Sequence, residues 1–499
     1  MLPKLPDYTL TAVLGCGRIS QHSSQHSSRE LKLARHTALL LVYTSGRSDE
    51  LYAADSTERI PEESAALLLS RHAMQLDPNE KTTHESKGGL DVSQGHRFLV
   101  VALGVVVLVA ALVLVVTGGQ GAMAADTIIY VDAEASGENN GTSWGDAYTE
   151  LQPALEAAAD GDEIWVAEGT YKPTWQFDVG DPRSATFQMK NGVAVYGGFD
   201  PSVGDITWED RDWMNHETIL SGDLNGDDGP DFENNDENSY HVFYHPDALD
   251  LDSTAMLDGF TVTGGNAEGE DPHDRGGGIH NNHSSPALSN CTFSGNSAEF
   301  AGGGLYNQNS SPVLSNCAFI GNQAYHGGGM YNQNTSSPAL SNCTFSSNLA
   351  HSLGGGIYNG GSSPTLIDCI FSGNSAYSGG GMADWFSSPS LTDCAFSGNS
   401  TDDDGGGIYN FSSSPALTNC TLSDNSALDH GGGMENTYSS SPTLTNCTFE
   451  GNSAGYGGAM RNDSSSPVLT NCTFVNNSAV YGGAVRNDSS SPTLTNCTF

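Results

Sequence analysis

Residues 276–301 read GGGIHNNHSSPALSNCTFSGNSAEFA, and residues 302–326 read GGGLYNQNSSPVLSNCAFIGNQAYH. The second stretch repeats the first almost position for position, and the pattern continues to the end of the chain. Nine cysteines, Cys291, Cys317, Cys343, Cys369, Cys394, Cys420, Cys447, Cys472 and Cys497, are spaced by 26, 26, 26, 25, 26, 27, 25 and 25 residues. A fixed period of this size is the mark of stacked units. Each unit holds short β-rich runs such as SPTLTNCTF and GGGIYN, punctuated by Gly, Asn, Ser and Pro, and none holds a run of helical period. A unit this small cannot bury its own apolar side, so it must lie on its neighbours.

Stacking at about 4.8 Å per unit sets equivalent residues above one another. Ile279, Leu305, Met330, Ile357, Met382, Ile408, Met434, Met460 and Val485 then form one inward column. The leucines from Leu288 to Leu494 form another, beside phenylalanines from Phe293 to Phe474. Asn296, Asn322, Asn348, Asn374, Asn399, Asn425, Asn452 and Asn477 are expected to stack as an amide ladder satisfying buried turn groups. The glycines ahead of each aliphatic residue suit positive φ or crowded backbone.

FSGN at Phe293–Asn296, Phe371–Asn374 and Phe396–Asn399, with GGAM at Gly457–Met460 and GGAV at Gly482–Val485, resembles the FxxN and GGA[ILV] repeats of polymorphic outer-membrane proteins. More broadly, the chain resembles right-handed parallel β-helices of the pectin-lyase-like superfamily. YVDAEASG at Tyr130–Gly137 and the segment Leu151–Tyr171 resemble that superfamily's capping helix and first coil. The likeness covers residues 126–499. Most repeats carry GGG rather than GGA, and Leu422 replaces one Phe. No autotransporter barrel follows, so self-anchoring in an outer membrane is not part of the expectation. The resemblance implies an all-β solenoid with an N-terminal capping helix. Its irregular first coils would run over 126–265 and its regular coils over 266–499. Phe499 falls inside a coil, which reads as a truncated stack or one continued by something else.

Of 499 residues, 59 are Asp or Glu and 18 Lys or Arg, a net charge of −41. That excess argues against binding nucleic-acid backbone, which needs a basic face. The imbalance is confined to one side of an apolar run. Residues 1–97 hold 11 basic and 12 acidic residues, leaving 18 − 11 = 7 basic and 59 − 12 = 47 acidic beyond. Between them Phe98–Val116, FLVVALGVVVLVAALVLVV, is long enough to cross a bilayer. Lys81, Lys87 and Arg97 precede it, so the N-terminus is expected inside and the rest exported. The membrane segment, 98–117, reads as an uncleaved anchor or as a signal sequence cleaved near Ala124, after Ala122-Met123-Ala124; a buried core helix is the third reading. Residues 1–97 form a cytoplasmic leader or an over-extended start, because Met74 would leave a conventional basic leader.

Candidate sites are few. Asp223, Asn225, Asp227 and Asp231 in DLNGDDGPD have alternate oxygen spacing like a calcium loop, although Asp228 and Asn234 depart from the EF-hand pattern; a solvated acidic loop is the competing reading. Beside the aliphatic column, Tyr306, Tyr331, Tyr358 and Tyr409 are spaced one unit apart and expected to face outward. Such a row could form a platform for sugar rings or a protein, or be ordinary strand-surface tyrosine. His273, Asp274 and Arg275 are adjacent but not expected to converge on one substrate. Asp402, Asp403 and Asp404 read as a solvated turn, and Arg461 and Arg486 as surface decoration. The cysteines all occupy one position at a spacing wider than the roughly 3.5–4.5 Å between Cβ atoms that a disulfide prefers, so they are expected as buried thiols.

The function expected from these features is non-catalytic: an exported cell-surface or secreted protein with an adhesive, structural or recognition role, taking an extracellular glycan or surface protein as partner. The alternative is a carbohydrate-active enzyme, a polysaccharide lyase or glycoside hydrolase, which rests on fold analogy.

Overall fold

The computed structural model describes residues 127–204 and 206–499. The leader, the apolar run 98–116 and the Ala124 cleavage position lie outside them. Among the described residues no helix is long and apolar enough to cross a membrane.

The repeat folds as a parallel solenoid. In the unit around Cys291 the strands are Ala287–Ser289, Thr292–Ser294, Ser297–Ala301 and Leu305–Gln308, each only a few residues long because an Asn, Gly or Pro turn interrupts it. Each strand pairs in parallel with its counterpart one unit earlier and one unit later, Leu288 opposite Leu314 and Phe293 opposite Phe319. The result is four parallel sheets of 13, 11, 9 and 10 strands running the length of the stack. One continuous apolar core fills it, made of the aliphatic, leucine, cysteine and phenylalanine columns. The phenylalanine rings lie flat on one another, with centroids 4.8 Å apart for Phe293–Phe319 and 4.4 Å for Phe371–Phe396. Leu422 opposite Phe396 interrupts that stack without leaving the core.

Polar ladders run beside the apolar columns. Asn374 Oδ1 accepts from both the backbone N–H and Nδ2 of Asn348, while its own Nδ2 donates to Phe345 O and Asn399 Oδ1. Every polar atom of that buried amide is therefore used, which is the condition for placing it in a core. The thiols are free, and all but Cys497 are buried. Each touches a carbonyl of the preceding unit, as Cys369 Sγ does with Leu340 O at 3.9 Å. The glycine triplets divide their work. Gly354 has φ +70°, whereas a Cβ on Gly355 would meet Gly380 O and Ser375 O at 2.5 Å. The first glycine answers a backbone conformation and the second a close approach between units.

The segment ahead of the regular repeats follows the same course with long loops between its strands. A seven-residue helix, Leu151–Ala157, lies against the first two strands and buries Leu151, Ala154 and Leu155; Pro153 sits in its first turn, where its missing N–H costs nothing. Loops between Tyr171 and Ala194, Phe199 and Thr218, and Ser221 and Phe243 hold most of the clustered charge.

Candidate functional site

The tyrosine row forms in register, since Tyr306 pairs with Tyr331 and Tyr331 with Tyr358. The rings stack at 5.5 and 4.8 Å. They are not, however, open to solvent: Tyr306 is 0% exposed and Tyr331 and Tyr358 are 8% exposed, while Tyr409 is half-buried. The preceding strands fold over the column, laying Ala301, Leu353 and the His326 ring on it. This corrects the expectation of an outward platform. The side chains leave the sheet on its outer side, but the neighbouring sheet's edge covers them.

An open aromatic surface lies two residues further along the same strands. Trp385 and Phe411 are register partners with centroids 3.8 Å apart and planes 2° apart. Tyr438 lies 4.3 Å beyond Phe411, and Phe386 packs edge-on at 5.7 Å from Phe411. Phe386 is 63% and Tyr438 64% exposed. Other units carry Gln333, Gly360 and Asp463 where Trp385 and Phe411 stand, so the cluster is local to three coils. The backbone adds a second distinction. Phe386 has φ 52° and Tyr438 φ 54°, at turns where other units place Asn309, Gly361, Ser412 and Ser464. A bulky residue in the left-handed region is an outlier that costs roughly 1–2 kcal/mol. Sequence reasoning missed these four residues because it followed the shared positions of the repeat. The signal was the Trp-Phe pair at 385–386, where the consensus asks for polar or small residues.

Charged groups flank this patch. Arg461 Nη1 donates to Glu435 Oε1 at 2.7 Å, and its Nε to Asp488 Oδ2 at 3.1 Å; Arg486 reaches the same Asp488. The two arginines are thus part of an ion-pair network rather than loose decoration. Glu435 is fully buried, Oε2 has no partner, and desolvation raises its carboxyl well above the ordinary range against the pull of Arg461. Asp404, one residue of the acidic run, is half-buried and meets His430 Nδ1 at 2.6 Å, so it is not a solvated turn group; burial raises its pKa too.

The calcium reading of the acidic loop is rearranged by the fold. Asp223 and Asp227 are brought together with Glu237, ligand oxygens within 4.8 Å of one another, while the Asp231 carboxylate is not in that group. Such oxygens could hold a hard divalent cation, although Lys172 Nζ also stands 4.0 Å from Asp223 Oδ1. Glu237 was not legible as a member because it lies beyond the loop's own spacing. A second group, Glu168, Asp200 and His216, gathers from three separate segments, with His216 Nδ1 2.8 Å from Glu168 Oε2. Glu168 and Asp200 also line a cavity of about 750 Å³ with Asp132, Glu134, Trp144 and Glu217. Its acidity opposes a polyanionic ligand unless cations intervene. His273 does meet partners, though not its neighbours: its Nδ1 lies 3.0 Å from His241 Nε2 and its Nε2 3.2 Å from Asp178 Oδ2. That relay pins the loop bearing Asp178 to the first regular coil.

The family model for the right handed beta helix region matches residues 255–388 and 351–499. Over residues 255–499 the solenoid is a right-handed parallel β-helix. Among solved structures the β-helix is similar to pectate lyase Pel9A, at 13% identity over 75% of this chain and 79% of that one, with a TM-score of 0.36. It is similar to the tailspike protein gp49 of Acinetobacter baumannii bacteriophage Fri1, a capsular polysaccharide depolymerase, at 13% identity and TM-score 0.31, covering 74% of this chain and 55% of that one. A rhamnogalacturonan lyase matches at 12% identity and TM-score 0.31, over 74% and 87% of the two chains. No curated protein matches the chain.

Proposed function

We propose that this β-helix is an exported, non-catalytic recognition protein of the cell surface or its surroundings, and that Trp385, Phe386, Phe411 and Tyr438 bind an extracellular glycan. The observation that carries the reading is the pair of exposed aromatic residues held at positive φ. Two adverse backbone conformations and an exposed cluster of mutually stacked aromatic rings are retained at one place, which marks an interaction site. Flat, fixed rings suit the C–H faces of sugar rings and lose little side-chain entropy on binding. The charge of −41 favours neutral over acidic glycans. Export is supported by the apolar run 98–116 and the charge asymmetry across it, and display at the surface by the FxxN and GGA motifs.

The test is binding of neutral and acidic polysaccharides to the protein and to a Phe386→Ser, Tyr438→Ser double variant. Retention by neutral glycans that the double variant loses supports the reading; equal retention by both proteins defeats it.

A second reading is favoured by Glu435. Its carboxyl is raised by desolvation, lies three residues before Tyr438 and feels Asp404 electrostatically; it would serve as general acid in cleaving a glycosidic bond once the Arg461 ion pair that covers it opened to substrate. Release of new reducing ends or unsaturated products, abolished by Glu435→Gln, would establish this reading in place of the first.

A further inference from the structure

A second buried amide column runs inside the strands that carry the tyrosines. It starts at His245, whose Nδ1 donates to Asn281 Oδ1 at 2.8 Å. Each Asn then donates from Nδ2 to Oδ1 of the next unit: Asn281 to Asn307, Asn307 to Asn332, Asn332 to Asn359, at 2.9–3.0 Å. Asn359 donates to Asp384 Oδ1 at 2.8 Å. The series resumes from Asn410 to Asn436, Asn462 and Asn487, at 2.8 Å per link. One link is missing. Asp384 and Asn410 are register partners, Asp384 is 1% exposed and Asn410 0% exposed. Both Asp384 Oδ2 and Asn410 Oδ1 are buried without a partner.

Two acceptors cannot satisfy each other, and a buried unsatisfied acceptor is costly. Asp has the shape of Asn, with Oδ2 standing where the donor nitrogen would be, so a single proton repairs the column. We propose that Asp384 is held as a neutral carboxylic acid whose Oδ2–H donates to Asn410 Oδ1, making the junction between these two coils a proton-dependent joint. The donor–acceptor direction of the whole column is then continuous from His245 to Asn487.

The surroundings agree. Desolvation raises the Asp384 carboxyl to about 7, and the bond from Asn359 opposes this only in part. The groups facing Asp384 are neutral. Asn359 and Asn410 lie before and after it in the column, the Tyr358 hydroxyl lies on the preceding coil, and Ser413 Oγ binds the Asp384 carbonyl at 3.0 Å. No charged side chain is hydrogen-bonded to the carboxyl among the described residues. A carboxyl with a folded pKa above its unfolded value binds more protons in the native state. The stability it confers is full below the unfolded value, near pH 4, and is lost as pH rises toward about 7. The inference does not depend on the recognition reading.

The experiment compares the full chain with Asp384→Asn by chemical denaturation across pH. Asn at this position supplies the missing N–H permanently. The folded-to-unfolded ratio of the parent should fall by up to about tenfold per pH unit relative to the variant between about pH 4 and about pH 7. The two should differ little at the acid end. Infrared difference spectra between parent and variant near pH 6 should contain the carbonyl stretch of a protonated buried carboxyl. Identical pH slopes, a carboxylate signature at that pH, or a variant that fails to fold would each overturn the proposal.

Discussion

Trp385 and Phe411 lie ring on ring, 3.8 Å apart and 2° from parallel, because their strands are neighbours in one sheet and their side chains leave from paired positions. Phe386 follows in a conformation that suits Gly or Asn. Phe386→Gly should therefore raise stability, by about 1 kcal/mol once the left-handed strain is relieved, while weakening glycan retention. Denaturant midpoints and binding assays on one preparation read both effects. A variant less stable than the parent would show that the ring contributes to packing instead.

Gly380 and Gly381 are adjacent and should respond differently to alanine. A Cβ on Gly380 would stand 2.6 Å from Gly406 O and 2.7 Å from Ser400 O, both backbone. A Cβ on Gly381 would also approach backbone, Gly407 O at 2.6 Å, but the corresponding residues of the last two coils are Ala459 and Ala484, so the stack seats a methyl at that position. Gly380→Ala is expected to cost about 1–3 kcal/mol as overpacking, and Gly381→Ala less. Thermal unfolding of the two variants checks the order.

Asn374 satisfies groups on the two coils that flank its own. Asn374→Ala would strand the Asn348 N–H and take the amide donor from the Phe345 carbonyl, while Asn399 Oδ1 would keep only the Asn374 backbone N–H. At about 1–3 kcal/mol for a buried group left unsatisfied, the loss should exceed that of Leu366→Val in the neighbouring column. Hydrogen exchange should show accelerated amides in the coils containing Asn348 and Asn399.

His245 sets the acid limit of the ladder it begins. Nδ1 donates to Asn281 and Nε2 accepts from the Met189 N–H, an arrangement that requires the neutral ring, and burial lowers its pKa to about 4. A histidine depressed in this way contributes stability that is present above its unfolded value, near 6.5, and lost as pH falls toward about 4. The sign is opposite to that for Asp384. His245→Gln should flatten the acid limb of the stability profile between those values, and an unchanged limb would assign it to other groups, such as His280, lowered to about 3.

The solenoid was legible because its information is periodic. Every 25 to 27 residues the chain states the same inward positions, and strand spacing alone turns that period into columns. The Asn296–Asn477 ladder and the buried thiols followed from the same logic. The tyrosine row shows where it stops: period predicted that the rings would stack, but not that Ala301, Leu353 and His326 would close over them. Exposure depends on how the preceding strand bends, which one position of a repeat does not encode.

Residue identity and spacing thus determined the stack, its core columns and its acidity, since those need only local strand geometry and a fixed rise. The tertiary structure alone decided which side chains reach solvent or each other. Glu168, Asp200 and His216 meet across three loops, and Glu237 joins Asp223 and Asp227, because contacts between distant segments depend on loop paths through space. The unpaired oxygens of Asp384 and Asn410 likewise became visible only once register set them side by side.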